Sequence, residues 1–145
     1  MFKSKKVLVT GSGGQLGRTL QKNCSDKNSF EWIFLPKEKL DITNINGIKA
    51  VFEKYNPSFC VNCAAFTDVL KSEKEPALAY KVNVEGVKNL TQICNDNKTS
   101  MIHISTDYVF DGTKKTPYIE NDKANPLNTY GTTKHLSEKY VLENV

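Results

Sequence analysis

The 145 residues contain no apolar run that approaches the length of a bilayer-spanning helix. After the basic segment Met1-Phe2-Lys3-Ser4-Lys5-Lys6, the apolar run is only Val7 to Val9, too short for the core of a secretory signal. A cytoplasmic location with no membrane partner is therefore expected. There is also no block of one charge. The 20 basic and 16 acidic residues leave a net charge of +4, and no run of lysine is longer than two. That pattern reads as a dispersed, solvated surface and gives no reason to expect a nucleic-acid partner. Cysteine is sparse: Cys24, Cys60, Cys63 and Cys94. Cys60 and Cys63 have C-x-x-C spacing, but no second Cys or His pair complements them. They fall on a predicted strand, where residues three apart point to opposite faces. Reduced, buried cysteines are expected, and no metal ligand is assigned. His103 and His135 read as structural or surface residues. Internal repeats and low-complexity tracts are lacking too, so residues 1–145 are expected to form one domain with a real core.

What is present alternates. Short apolar runs read as strands at Lys6 to Thr10, Phe30 to Leu35, Ser58 to Asn62 and Met101 to Ile104. Asn23 to Ser29 reads as a polar connection, and Leu40 to Asn44 as a short extended piece with Thr43 or Asn44 as a helix N-cap. Between the strands, Ile45, Ile48, Val51, Phe52 and Tyr55 keep helical spacing up to Asn56-Pro57. A single long helix is expected from Pro76 to about Asn97. A last one is expected from Asn128 or Thr129 to the end. Strands that are continuously apolar and alternate with helices predict a doubly wound parallel α/β sheet, Rossmann-like, with helices on both faces.

The densest cluster of glycine is Thr10-Gly11-Ser12-Gly13-Gly14-Gln15-Leu16-Gly17, between the first strand and the first helix. Glycines there allow a tight turn and close approach of phosphate, and the helix N-terminus offers free N–H donors. The spacing G-x-G-x-x-G is broken by Leu16; G-x-x-G-x-x-G fits, with Gly11, Gly14 and Gly17. A second constellation is Tyr130-Gly131-Thr132-Thr133-Lys134. Four residues apart on a helix, Tyr130 and Lys134 share a face. A neighbouring ammonium lowers the pKa of a phenol and fits it for proton transfer, although a solvent-facing Tyr and Lys would read the same way. A third is Ser105-Thr106 at the end of a strand, where ligands of open α/β sheets bind. Its hydroxyl could hold a substrate oxygen or simply cap a loop.

The order of these segments resembles the extended short-chain dehydrogenase/reductases. The matching stretches are Gly11 to Gly17, Leu40 to Asn44, Val61 to Thr67, Asn83 to Gly86, Ser105 to Gly112 and Pro126 to Lys134, covering nearly the whole chain. The stretch from Ser105 to Gly112 is most similar to the reductases that act on the 4-keto group of dTDP-4-dehydro-L-rhamnose. The resemblance implies an NAD(P)-binding Rossmann-like domain and a catalytic set of Thr106, Tyr130 and Lys134. It implies cofactor contacts from Gly11, Ser12, Gly14, Gln15, Leu16, Gly17, Lys37, Asp41, Ile42, Ala64, Ala65, Thr67, Asn83, Tyr130 and Lys134. In that scheme the three spaced glycines hold the pyrophosphate, Asp41 and Ile42 sit at the adenine, and Tyr130 protonates the keto oxygen that Thr106 orients. Asn83 matches a structural asparagine of the family; read from the residues alone it is a hydrogen-bonded buried amide. The implied partner is a nucleotide sugar, with a homodimer expected of the full-length protein.

Three departures qualify the match. The acid that NAD-specific folds carry after the second strand is replaced by Pro36, and Lys37 or Lys39 would suit a 2′-phosphate. NADP is therefore expected as cofactor, with NADPH preferred and NADH usable; two surface lysines would give the same sequence. Leu70 stands where the family has an acid. The family's C-terminal part, which closes over the sugar nucleotide, is not in the sequence, so the chain is expected to be the front portion of a longer protein. Two other activities within the family stay open. One is a non-catalytic dinucleotide-binding regulatory subunit, like that of methionine adenosyltransferase. The other is an epimerase or dehydratase of another nucleotide sugar.

Overall fold

A computed structural model describes residues 4–24 and 30–144. The sheet is built on β1 (Lys5–Thr10), whose Leu8 and Val9 are completely buried. β2 (Phe30–Leu35) lies on one side of it, and β3 (Phe59–Asn62) then β4 (Ser100–His103) on the other. The order is β2-β1-β3-β4 and every pairing is parallel. Register aligns Thr10 with Asn62 and Asn62 with His103, so three strands end in one row of polar residues.

Strand alternation sorts the core. Leu8 and Cys60 join Ile48 and Phe52 of α2 (Ile45–Tyr55) and Leu90, Ile93 and Cys94 of α5 (Gly86–Asp96) on one face. Val7, Val9 and Val61 face the other way, with Cys63 and Leu20 of α1 (Gln15–Cys24) packed on them. Cys60 and Cys63 thus lie on opposite faces, as their spacing predicts. α6 (Thr129–Asn144) reaches the first face, where Ser137 meets His103. This is the expected doubly wound α/β architecture. Among the described residues no helix is long and apolar enough to cross a membrane.

Local chemistry explains most of the boundaries. Asn44 Oδ1 accepts from the Gly47 N–H and caps α2, and Asn56, at φ 47°, closes that helix just before Pro57. Asn128 Oδ1 accepts from the Gly131 N–H at the start of α6. After β4, the Asp111 carboxylate gathers the Thr113 N–H and the hydroxyls of Thr113 and Tyr118, and also the Asn125 amide. These bonds hold its pKa far below the usual carboxylate range, the Thr113 N–H contributing most.

Three expectations are corrected. Leu40 to Asn44 is not extended: Asp41 accepts from the Thr43 N–H and hydroxyl, and the side chain draws the backbone into a turn. The long helix has α4 (Pro76–Tyr80) at its start and α5 at its end, but a π segment, Lys81–Glu85, joins them. A short helix, α3 (Val69–Lys74), precedes it. Asp68 caps α3 by accepting from the Lys71 N–H at 2.9 Å. No periodicity marks this helix, because its largest apolar side chain, Leu70, is 78% exposed. The connection after α1 was expected to begin at Asn23, which instead remains helical; residues 25–29 lie outside the described residues.

Gly17 illustrates how tightly α1 sits on the loop before it. A Cβ there would lie 2.4 Å from Ser12 Cα and 2.8 Å from Gly11 O, both backbone atoms. A Cβ on Gly13 would meet only Pro36 Cβ, at 3.5 Å. Gly17→Ala is expected to lower the urea midpoint by an amount corresponding to about 1–3 kcal/mol. Gly13→Ala should stay within about 0.5 kcal/mol of wild type.

Candidate active site

The loop after β1 turns at Gly11, which has φ +62°. A Cβ at this position would be 2.6 Å from both Ala64 N and Ala64 Cα. Only glycine lets the exits of β1 and β3 touch backbone to backbone. Gly14 N donates to Gly11 O at 3.0 Å, and α1 begins at the next residue. Its first turn carries no acidic side chain, so the N–H groups and positive end of the helix dipole face the loop without a competing carboxylate.

Two cavities open along the strand ends, of about 410 Å³ and about 480 Å³. Gly14, Cys63, Ala64 and Ala65 line both, so they form one two-lobed crevice across the β1–β3 boundary. In the first lobe stand Gly11, Pro36, Lys37, Leu40, Asp41, Ile42 and Lys81. The Asp41 carboxyl is held below its usual range, first by the Thr43 N–H and then by the Thr43 hydroxyl and the positive charges of Lys37 and Lys81. Lys37 lines this lobe, whereas Lys39 is not among the lining residues. Lys81 was not foreseen. It follows Leu78 by one turn, and the π segment carries it to the lobe.

The second lobe is lined by Gln15, Leu16, Thr67, Ile104, Ser105, Tyr130 and Lys134, among others. Tyr130 is 8% exposed and Lys134 2%. They sit one turn apart on α6, as the spacing requires. The Lys134 ammonium donates to Ile104 O at 2.5 Å and lies 3.5 Å from His103 Nε2. Burial lowers its pKa to about 8, with Glu138 opposing the shift. The ring of Tyr108 meets Tyr130 edge-on at 5.6 Å.

Several expected contacts fall elsewhere. Thr106 is not on the lining: its Oγ accepts from the Tyr108 N–H and donates to Asp107, capping a 3₁₀ turn. Its neighbour Ser105 lines the lobe instead, with a buried hydroxyl that has no partner among the described residues. Nothing in the sequence distinguishes the two hydroxyls; their orientation is set by where the turn begins. Asn83 is fully buried away from the crevice. Its Oδ1 accepts from the Phe66 N–H at 2.8 Å, and its Nδ2 donates to Phe66 O and Thr133 Oγ1 at 3.0 Å each. It clamps the loop after β3 to the helix of Tyr130 and does not line the crevice. Gly17 packs on Ser12, and Ser12 is itself buried with its N–H on Leu35 O, so neither lines the crevice.

The donor set fits a nicotinamide dinucleotide. A backbone-lined waist meets a helix N-terminus, two lysines flank one lobe, and the orphaned Ser105 hydroxyl stands beside Tyr130 and Lys134 in the other.

Residues 5–145 match the family model described as the RmlD substrate binding domain. The chain is 40% identical over 137 residues to a dTDP-4-dehydrorhamnose reductase of Aggregatibacter actinomycetemcomitans, covering 94% of this chain and 47% of that protein. A crystal structure of the Bacillus anthracis dTDP-4-dehydrorhamnose reductase in complex with NADP superposes with a TM-score of 0.94 at 35% identity, over 99% of this chain and 51% of the other. The Clostridium acetobutylicum counterpart superposes with a TM-score of 0.91 at 43% identity, over 96% and 49%. The chain thus spans about half the length of these relatives.

A charged Lys134 is disfavoured by the fold. Its pKa, about 8 when folded, rises to the ordinary 10.5 on unfolding, so the unfolded chain binds more protons in that window and the lysine's penalty fades as pH rises. Lys134→Met is expected to be more stable than wild type at pH 7, with the advantage shrinking between pH 8 and 10. Urea titrations of both proteins at each pH measure that difference.

Proposed function

This chain belongs to the family of the RmlD substrate binding domain, and on that premise we propose that residues 1–145 form the dinucleotide-binding portion of a dTDP-4-dehydrorhamnose reductase. The reaction is the NADPH-dependent reduction of the 4-keto group of dTDP-4-dehydro-L-rhamnose. The observation that carries this reading is that Tyr130 and Lys134 line the lobe that joins the glycine loop at Gly14. The segments that close over the sugar nucleotide belong to the part of the relatives outside the match.

In this reading the pyrophosphate lies over Gly14 and the N-terminus of α1, and the adenosine half fills the lobe of Asp41 and Ile42. Lys37 and Lys81 favour a 2′-phosphate against the carboxylates of Glu38 and Asp41 on the same lobe, and Pro36 takes the place of the acid that NAD-specific folds carry. Bound NADPH supplies the hydride. Tyr130 gives its phenolic proton to the oxygen that becomes the 4-hydroxyl. Lys134, one turn along the same helix, holds a ribose hydroxyl. Ala64 and Ala65 pass only backbone and methyl groups along the cofactor, so nothing bulky intrudes at the waist. The hydroxyl pair Ser105 and Thr106 lies at the substrate end. The Ser105 hydroxyl is buried in the wall of that lobe and would have to turn outward to meet a ligand, and Thr106 becomes free if its turn opens.

Fluorescence titration should show tighter binding of NADPH than of NADH. Lys37→Glu should reduce that preference about tenfold. Tyr130→Phe should leave NADPH binding close to wild type and, in a chain extended to the relatives' full length, lower turnover of dTDP-4-dehydro-L-rhamnose by about 10²–10⁴-fold. A folded chain that binds neither nucleotide would refute the reading.

A further inference from the structure

The row Thr10, Asn62 and His103 has a fixed hydrogen-bond direction. Asn62 Oδ1 accepts from the Ala64 N–H at 3.1 Å and from the Thr10 hydroxyl at 2.6 Å. Both act as donors, so the other arm of the amide is Nδ2, and it faces His103 Nδ1 at 3.1 Å. His103 Nδ1 must accept, which places the ring proton on Nε2. Nε2 lies 2.9 Å from Ser137 Oγ, whose own proton goes to Lys134 O at 2.7 Å. Each link of this row from Thr10 to Ser137 pairs a donor with an acceptor, and only one tautomer of a neutral imidazole satisfies it. A second ring proton would oppose the Asn62 amide and add a positive charge 3.5 Å from the Lys134 ammonium.

We propose that His103 is a positioning residue for Lys134: its neutral Nε2–H tautomer, locked by Asn62 and Ser137, places no positive charge and no competing acceptor beside the ammonium, so that Lys134 stays on Ile104 O and faces the second lobe. The role for bound cofactor rests on the reading above; the role toward Lys134 does not. The groups around the ring agree with a neutral imidazole. β3 presents the Asn62 amide, and α6 presents Ser137 and the Lys134 cation. The nearest acid along α6 is Glu138, which is 3.3 Å from His135. Burial first, and then the charge of Lys134, push the His103 pKa down to about 3. Cys63, at the edge of the lobe, keeps its thiol protonated because burial raises its pKa. Sequence alone assigned His103 no task, since a single histidine on a strand is indistinguishable from a filler.

The test reads both side chains directly. Long-range proton–nitrogen NMR of the wild-type chain should show His103 as the Nε2–H tautomer, unprotonated from pH 8 down to pH 5. The Lys134 side-chain carbon resonance, assigned by its loss in Lys134→Met, should titrate near 8. In His103→Phe that midpoint should shift and NADPH affinity should drop about tenfold, because the Asn62 donor and the Ser137 acceptor lose their partner beside the ammonium. His103→Gln, which carries one acceptor and one donor, should restore both. The inference is overturned if His103 titrates near 6.5, if it adopts the Nδ1–H tautomer, or if folded His103→Phe keeps the wild-type Lys134 midpoint. Should His103→Phe fail to fold, the wild-type spectra and the Lys134 midpoint in His103→Gln decide. Absence of NADPH binding by the wild-type chain would remove the cofactor reading while leaving these titrations to judge His103.

Discussion

The side-chain amide of Asn62 is the interaction on which the upper half of this molecule depends. It sits where three parallel strands end in register and is 1% exposed. One oxygen receives the last side chain of β1 and the Ala64 N–H of the loop after β3, and one nitrogen reaches β4. Three chain exits that would otherwise be independent are thereby tied together. The loops that leave them, at Gly11, Cys63 and Ile104, become the floor of a single crevice. An unpaired amide at that depth would be costly, so the row is stable only as a complete set.

Close backbone approach is the second constraint. Gly11 must be glycine for two separate reasons, a left-handed φ and a neighbour, Ala64, that leaves no room for a Cβ. Gly17 must be glycine because α1 lies on Ser12. The glycine-rich loop is therefore not a uniform phosphate cradle. Part of it shapes the waist of the crevice, and part of it seats the helix whose N-terminus points there. Gly131 serves the same purpose at the far end, where a Cβ would fall 2.2 Å from Tyr108 O as α6 crosses the 3₁₀ turn.

Polar groups buried against this frame carry a stability penalty that the fold tolerates near the lobe. Lys134 is almost wholly buried, with Ile104 O and the neutral face of His103 for company. Asn83, in the π segment, is buried too, but its bonds to Phe66 and Thr133 are complete. The contrast is informative. The amide locks structure, whereas the ammonium retains capacity for a ligand. π segments often occur beside sites of this kind, because the extra residue per turn redirects side chains. Here it brings Asn83 inward and Lys81 to the first lobe.

Much of the architecture is legible from the sequence by itself. Continuous apolar runs alternating with helical spacing determine a parallel α/β sheet. The position of the glycine-rich loop after β1, and of Tyr130 and Lys134 on the last helix, determines which residues line the crevice. These features are legible because they depend on period and order along the chain. What the tertiary structure alone decided depends on direction. It turned Thr106 into its own local turn and placed Ser105 in the wall of the lobe with its hydroxyl buried. It withdrew Asn83, Ser12 and Gly17 from the crevice, brought Lys81 to it, and made His103 the neighbour of Lys134. None of these has a signature in spacing. Each follows from which way a side chain points once distant segments meet, and a hydrogen bond between residues 41 apart leaves no local pattern.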